Sequence, residues 1–303
     1  MTAGDPVDLV EGERLGRYLV LEKLGAGQMA AAYRARHVGL EREVVLKTMV
    51  RDGALERSLF VREARTLAAL DHPGVVRVFD LDEDADGRPY LAMDLVRGRP
   101  LAELLRAHGR LDPGVAVKFA IDVADALHHV HTHRLAHRDI CPENVLVSAT
   151  GGAVLVDFGI VTSFGDYAAA APGRAVGTPS YMSPEAWAGE PTTAAMDLWA
   201  LAITLHELVA GSPPWASTTP ADLRAEITAS HPRLAEGLPD PLRALLVRCL
   251  SRQAADRPAD AAALRRELDG VLAYCDSSAA TLDDMRARGA ILVDVEHAEP
   301  GVP

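Results

Sequence analysis

The chain reads as an α+β protein of two lobes, a small β-rich N-lobe with one main helix and a larger α-helical C-lobe. Three observations point there. Apolar residues alternate in short runs from Tyr18 to Val96, broken by a single stretch of helical spacing. After that the spacing is helical almost throughout. The change falls at Arg97-Gly98-Arg99-Pro100, a Gly/Pro junction that suits a boundary.

Residues 1 to about 16 are acidic and without pattern, which predicts a flexible leader. The N-lobe is expected over 17–96. Tyr18 to Leu21, Ala31 to Arg34 and Glu43 to Lys47 read as three successive strands separated by Gly and polar turns. Glu56 to Leu70 carries Leu59, Phe60, Ala64, Leu67 and Ala68 at helical spacing. Val75 to Leu81 and Pro89 to Val96 return to strand character. The acidic turn between them, Asp82 to Gly87, reads as a solvated hairpin tip rather than a cation site. The C-lobe is expected over 97–275, with helices at Leu101 to His108, Pro113 to Thr132, Thr193 to Ala210, Pro220 to Ala229, Pro241 to Leu250 and Ala259 to Ala273. Pro113 and Pro241 sit in first-turn positions, where the missing N–H costs nothing. Residues 276–303 read as an acidic tail without chemistry.

Composition narrows the function classes. The 303 residues are 49% hydrophobic and 24% charged, an ordinary globular balance. A net charge of −12 argues against nucleic acid or an anionic membrane as the main partner. Cys141, Cys249 and Cys275 lie far apart, with neither metal-ligand spacing nor a paired framework, so a reducing cytoplasm is the expected location. No signal sequence opens the chain, and no apolar run is long enough for a bilayer. Oligomeric state is left open.

The densest chemistry lies in His137-Arg138-Asp139-Ile140-Cys141-Pro142-Glu143-Asn144, followed by Asp157-Phe158-Gly159. An Asp able to receive a hydroxyl proton sits near an Asn and a second Asp able to hold Mg²⁺, the equipment for phosphoryl transfer from ATP to a protein hydroxyl. Upstream, Leu24-Gly25-Ala26-Gly27-Gln28-Met29-Ala30 lies between the first two predicted strands. Glycines there let backbone N–H groups approach phosphate oxygens, although a Gly-rich hairpin alone is more often a tight turn. The strand–turn–strand setting argues against a dinucleotide fold, in which the motif opens a helix. Lys47 closes a buried-looking strand and needs an anion, with Glu63 on the next helix as its partner and the ATP phosphates as a second.

From about Arg17 to about Leu272 the chain resembles the eukaryotic-like serine/threonine protein kinases of bacteria. The likeness rests on the motifs above and on Gly177-Thr178-Pro179-Ser180-Tyr181-Met182-Ser183-Pro184-Glu185, Asp197-Leu198-Trp199 and Asp256-Arg257-Pro258. It implies the bilobal kinase fold with an antiparallel N-lobe sheet, ATP and Mg²⁺ as ligands, and a protein substrate offering a Ser or Thr acceptor. It further implies Asp139 as catalytic base, Asn144 and Asp157 as Mg²⁺ ligands, and Thr178 beside Asp139 near the acceptor. His137 and Phe158 would share a packed column, Glu185 would pair with Arg257, and Asp197 would hold the catalytic-loop backbone. Leu24, Gly25, Gly27, Ala32, Val45, Lys47, Met93, Asp94, Val96, Leu146 and Asp157 would contact the nucleotide, with Met93 as gatekeeper. Ala32 and Val45 exchange the sizes usual at those two positions, which roughly keeps the summed volume of the adenine slot.

Two departures bear on activity. Cys141 stands where the family carries a lysine that approaches the transferring phosphoryl group, and Glu143 occupies the alternative basic position. Between Asp157 and Gly177 the hydroxyls are Thr162, Ser163 and Tyr167, while Ala168 to Ala175 has none, which leaves Arg138 without the usual phosphate partner. Two readings therefore stand: a kinase with weakened γ-phosphate stabilisation, and an ATP-binding pseudokinase acting as scaffold or allosteric regulator. The enzyme is preferred because Lys47, Glu63, Asp139, Asn144 and Asp157 are all present. A redox-sensitive thiol at Cys141 is a further, lesser reading.

Overall fold

A computed structural model of the chain describes residues 9–26, 30–50, 53–158, 162–167 and 177–275, without the side chains of 54–56, 59 and 63. The chain divides after Val96 into two units. In the first unit, β1 (Arg14–Leu15), β2 (Tyr18–Ala26), β3 (Ala30–His37), β4 (Arg42–Met49), β5 (Val78–Glu83) and β6 (Pro89–Asp94) form one antiparallel sheet in the order β1-β2-β3-β4-β6-β5. The period-2 pattern decides which face is buried. Val20, Ala31, Tyr33, Ala35, Val44, Leu46, Tyr90 and Ala92 point to one side and make a single apolar cluster.

The sheet is curled, since its two ends meet. Tyr18 on β2 donates its hydroxyl to Asp80 on β5 at 3.3 Å, and Tyr90 donates to Asp82 at 3.3 Å. Arg17 reaches both carboxylates, at 3.6 Å and 3.8 Å. Burial and the Asp80 carboxylate push the Tyr18 hydroxyl up to about 12, so it remains a donor at neutral pH. Residues 9–16, expected as part of a loose leader, are instead tied to the sheet. β1 pairs with β2, Gly12 donates its N–H to Val20 at 2.9 Å, and the Leu9 N–H donates to the Tyr33 hydroxyl at 3.2 Å. One helix, α1 (Ala54–Ala68), packs on the sheet through Phe60, Ala64 and Leu67, whereas Ala68 is exposed.

The second unit begins with β7 (Gly98–Pro100), α2 (Leu101–His108) and α3 (Pro113–Thr132). Asp112 caps α3 by accepting the Gly114 N–H at 2.9 Å, and Pro113 follows it in the first turn. Short strands come next: β8 (Leu135–Ala136), β9 (Val145–Ser148), β10 (Ala153–Leu155) and β11 (Thr162–Ser163). They form a three-stranded sheet β10-β9-β7 and a two-stranded ladder β11-β8. The remaining helices are α4 (Pro184–Ala188), α5 (Ala194–Ala210), α6 (Pro220–Ala229), α7 (Asp240–Cys249) and α8 (Ala261–Cys275). α5 is buried on nearly every side, from Met196 through Val209, and so forms the axis of this unit's core.

Candidate active site

In the second unit, β8 ends at Ala136 and the segment His137–Asn144 follows before β9. Its backbone is held from inside the core. Asp197, in the first turn of α5 and fully buried, accepts the His137 N–H at 2.9 Å and the Arg138 N–H at 2.8 Å. His131, on the last turn of α3, meets the same carboxylate through Nε2 at 2.8 Å. Burial opposes the Asp197 charge, but the His131 hydrogen bond and the Arg138 N–H outweigh it and hold its pKa below the usual carboxylate range. Arg138 and Asp157 take positive φ values of 70° and 57°, which non-glycine residues adopt only where their surroundings enforce it.

The Asp139 carboxylate is fixed by three donors. Its Oδ1 accepts the Thr178 N–H at 2.9 Å and the Thr178 hydroxyl at 2.8 Å, and its Oδ2 accepts Asn144 Nδ2 at 2.9 Å. Asn144 Nδ2 also donates to the Asp139 carbonyl at 2.9 Å. That leaves the Asn144 amide oxygen for a metal, and Asp157 is exposed with a second carboxylate. Oxygen donors of this kind suit a hard ion such as Mg²⁺.

His137 packs edge-on against Phe158 with ring centroids 4.4 Å apart. Its Nδ1 accepts the Asp139 N–H at 3.3 Å, so Nε2 carries the proton directed at the Val156 carbonyl, 3.2 Å away. Burial lowers its pKa and keeps the ring neutral despite the nearby Asp197, Asp139 and Asp157. Glu185 and Arg257 form a buried bidentate pair at 2.5 Å and 2.9 Å, with the guanidinium 4.9 Å above the Trp199 ring.

Cys141 is buried, at 2% exposure. Burial first, then the Asp139 and Glu143 carboxylates, pushes its thiol far above the ordinary range. A redox-sensitive thiolate requires the opposite environment, which speaks against that reading of Cys141. Tyr181 donates a short hydrogen bond to Glu207. Arg138 Nη1 reaches the Thr162 hydroxyl at 3.5 Å, and β11 brings Thr162 there by pairing it with Ala136.

In the first unit Ala32, Val45, Lys47 and Met93 share the face of the sheet opposite the apolar cluster. Lys47 on β4 lies opposite Ala32 on β3 and Leu91 on β6, and Val45 lies opposite Met93. Ala32 and Val45 are half-buried and Met93 is 8% exposed. Gly25 pairs with Ala32, and Leu24 sits at the adjacent irregularity of β2 with 49% exposure. Asp94 ends β6 with its side chain on Arg42 at 3.0 Å, and Val96 is the last residue of the unit. Glu63 lies on α1, but its side chain falls outside the description, as do Gly27, Gly159 and the segment 168–176. Leu146 belongs to the second unit, on β9 opposite Val154 and Pro100.

Residues 18–268 match the protein kinase domain family. The DNA damage-responsive serine/threonine-protein kinase RqkA of Deinococcus radiodurans is 40% identical over 262 residues, covering 82% of this chain and 38% of that protein. Serine/threonine-protein kinase PknE of Mycobacterium tuberculosis is 34% identical over 299 residues, 97% of this chain and 52% of its own length. Serine/threonine-protein kinase PknB of Mycobacterium leprae is 32% identical over 263 residues, 83% and 42% respectively. The chain thus spans about half the length, or less, of these relatives.

Proposed function

The chain belongs to the protein kinase family, and on that premise we propose that it transfers the γ-phosphoryl group of ATP to Ser or Thr hydroxyls of a protein substrate. The observation that carries this reading is the Asp139 carboxylate, held by Thr178 and Asn144 in spite of the substitution at Cys141. Asp139 accepts the proton of the acceptor hydroxyl as that oxygen bonds to the γ-phosphorus and ADP departs. ATP and Mg²⁺ are the proposed ligands, with Lys47 serving the phosphates, Glu63 as its proposed partner, and Asn144 and Asp157 serving the ion. When bound, Mg²⁺ supplies positive charge to the phosphate oxygens. The remaining nucleotide contacts proposed are Leu24, Gly25, Gly27, Ala32, Val45, Met93, Asp94, Val96 and Leu146. Three free cysteines support a reducing, cytoplasmic location; among the described residues no helix is long and apolar enough to cross a membrane.

Turnover is expected to be slow. Cys141 brings no cation to the developing charge, and losing one such donor costs on the order of 10²-fold in rate. The same buried, neutral thiol favours the second reading, an ATP-binding scaffold. γ-Phosphate transfer from labelled ATP to a generic protein acceptor, with Mg²⁺, separates the two. The expected result is weak transfer by the wild type, none by Asp139→Asn, and a gain for Cys141→Lys. No transfer by either wild type or Cys141→Lys, with ATP still bound, overturns the enzyme in favour of the scaffold.

A further inference from the structure

We propose that His206 is a proton-operated latch: neutral, it ties the loop 231–238 to the C-terminal end of α5, and on protonation it releases that loop. The residue is buried, at 2% exposure, and both ring nitrogens are engaged with backbone. Nδ1 lies 3.1 Å from the Ser212 carbonyl oxygen, which can only accept, so Nδ1 carries the proton. Nε2 accepts the Ala235 N–H at 3.0 Å, a group that can only donate. Both contacts require the neutral ring with its proton on Nδ1. A second proton would sit on Nε2 and face the Ala235 N–H, donor against donor, so the imidazolium forms only if the loop moves away.

The neighbours hold both backbone groups in place. Gly211, with φ 85°, closes α5 by donating its N–H to the Glu207 carbonyl at 2.7 Å, and Ser212 follows it. In the loop, the Ala235 carbonyl accepts Arg243 Nη2, from α7, at 2.5 Å, and the Arg233 N–H donates to the Pro214 carbonyl at 3.0 Å. Burial lowers the His206 pKa; the bond to the Ser212 carbonyl opposes this, and the Arg243 charge adds to it. The other ionisable groups on the elements around the ring are engaged or exposed. Glu207 on α5 accepts the Tyr181 hydroxyl, Glu226 on α6 pairs with Arg233 at 3.6 Å, and Glu236 in the loop is exposed.

A folded pKa below the unfolded value of about 6.5 gives stability that is fully present above that pH and lost as pH falls toward the folded value. His137, also buried and neutral, contributes in the same direction, so the latch is distinguished by where the chain loosens. The loop follows α6, which packs against α4 and against the Pro179–Tyr181 turn directly after Thr178. Acid release of the loop therefore slackens an element on which the Thr178 segment rests.

Amide hydrogen exchange of the whole chain at pH 7.5 and pH 5.5, corrected for intrinsic rates, tests this. Amides of 233–238 are expected to lose protection at least ~10-fold at the lower pH, while those of 115–127 in α3 keep theirs. In His206→Gln, which has no proton to gain, protection of 233–238 should be the same at both pH values, with a thermal melt checking the fold. Equal protection of 233–238 at both pH values in the wild type overturns the proposal, whatever the variant does. So does a folded His206→Gln chain that keeps the wild-type acid loss, or an equal loss in α3, which would mean general acid unfolding. Neither ATP nor a protein acceptor enters the experiment, so none of these outcomes bears on phosphoryl transfer.

Discussion

Cys141 stands where the family resemblance calls for a cation, and its surroundings decide what a thiol can do there. Buried next to Asp139 and Glu143, it is held in the protonated form. Cys249, also buried, is pushed up to about 12 by loss of solvent, and Cys275 is buried at the end of α8. A thiol-specific reagent at pH 8 is therefore expected to modify none of the three in the folded chain and all three after denaturation. Labelling of native Cys141 at a rate within ~10-fold of the denatured chain would contradict the buried geometry. Much of the site around this residue was legible as motif, because Asp139, Asn144 and Asp157 fall within one short stretch of chain whose spacing the chemistry itself dictates. Glu185 with Arg257 and Asp197 with the catalytic loop were expected from the family resemblance, and the structure brings both together. His131 was not anticipated, nor were the bonds of Tyr181 to Glu207 and of Arg138 to Thr162. Each joins residues separated by at least 24 positions, and no local pattern marks which polar side chain will meet which.

At the level of elements, the helices were the more legible part because their ends carry local chemistry. The spacing of α2 and α3 predicts their observed bounds, with Pro113 announcing the start of α3. β7 through β11 are two to four residues long and, the local β9–β10 hairpin aside, exist through long-range pairing, as when Thr162 meets Ala136, so neither period nor length reveals them. β1 is equally short: its two residues have no alternation to read, yet local pairing with β2 secures them. Two glycines test whether this segment is integral to the sheet. Gly12 and Gly16 have φ values of 83° and 57°, so alanine is strained at both. A Cβ at Gly12 meets nothing within 4 Å, whereas at Gly16 it collides with the Tyr90 hydroxyl, a group tied to Asp82 in the seam. Gly12→Ala should cost about 1 kcal/mol and Gly16→Ala roughly 2–3 kcal/mol, a difference of several degrees in thermal midpoint. Equal midpoints for the two variants would mean that residues 9–16 do not pack against the seam as described.

Across the whole chain, a kinase switched on by phosphate needs an acceptor hydroxyl and a cation to receive the new charge. The net charge of −12 makes any added phosphate depend on a local cation, and Arg138 is the one that the family resemblance points to. Here Arg138 reaches Thr162 instead, and burial works against its own charge. Thr162 is 7% exposed and sits in a strand ladder, so phosphate on its hydroxyl would bury about two negative charges and break β11 from β8. Ser163 shares that ladder, and Ala168 to Ala175 offers no hydroxyl at all. Of the three hydroxyls between Asp157 and Gly177, only Tyr167 is well exposed, at 67%. The ordering of β11 on β8 therefore comes from backbone bonds and the Arg138–Thr162 contact, with no phosphate required. Phosphatase treatment of the transferring enzyme should change its rate by less than about 2-fold, and Thr162→Val should not raise it. A rate that falls ~10-fold or more on dephosphorylation, with the phosphate mapped to Thr162 or Ser163, would show that the segment is a phosphoswitch after all.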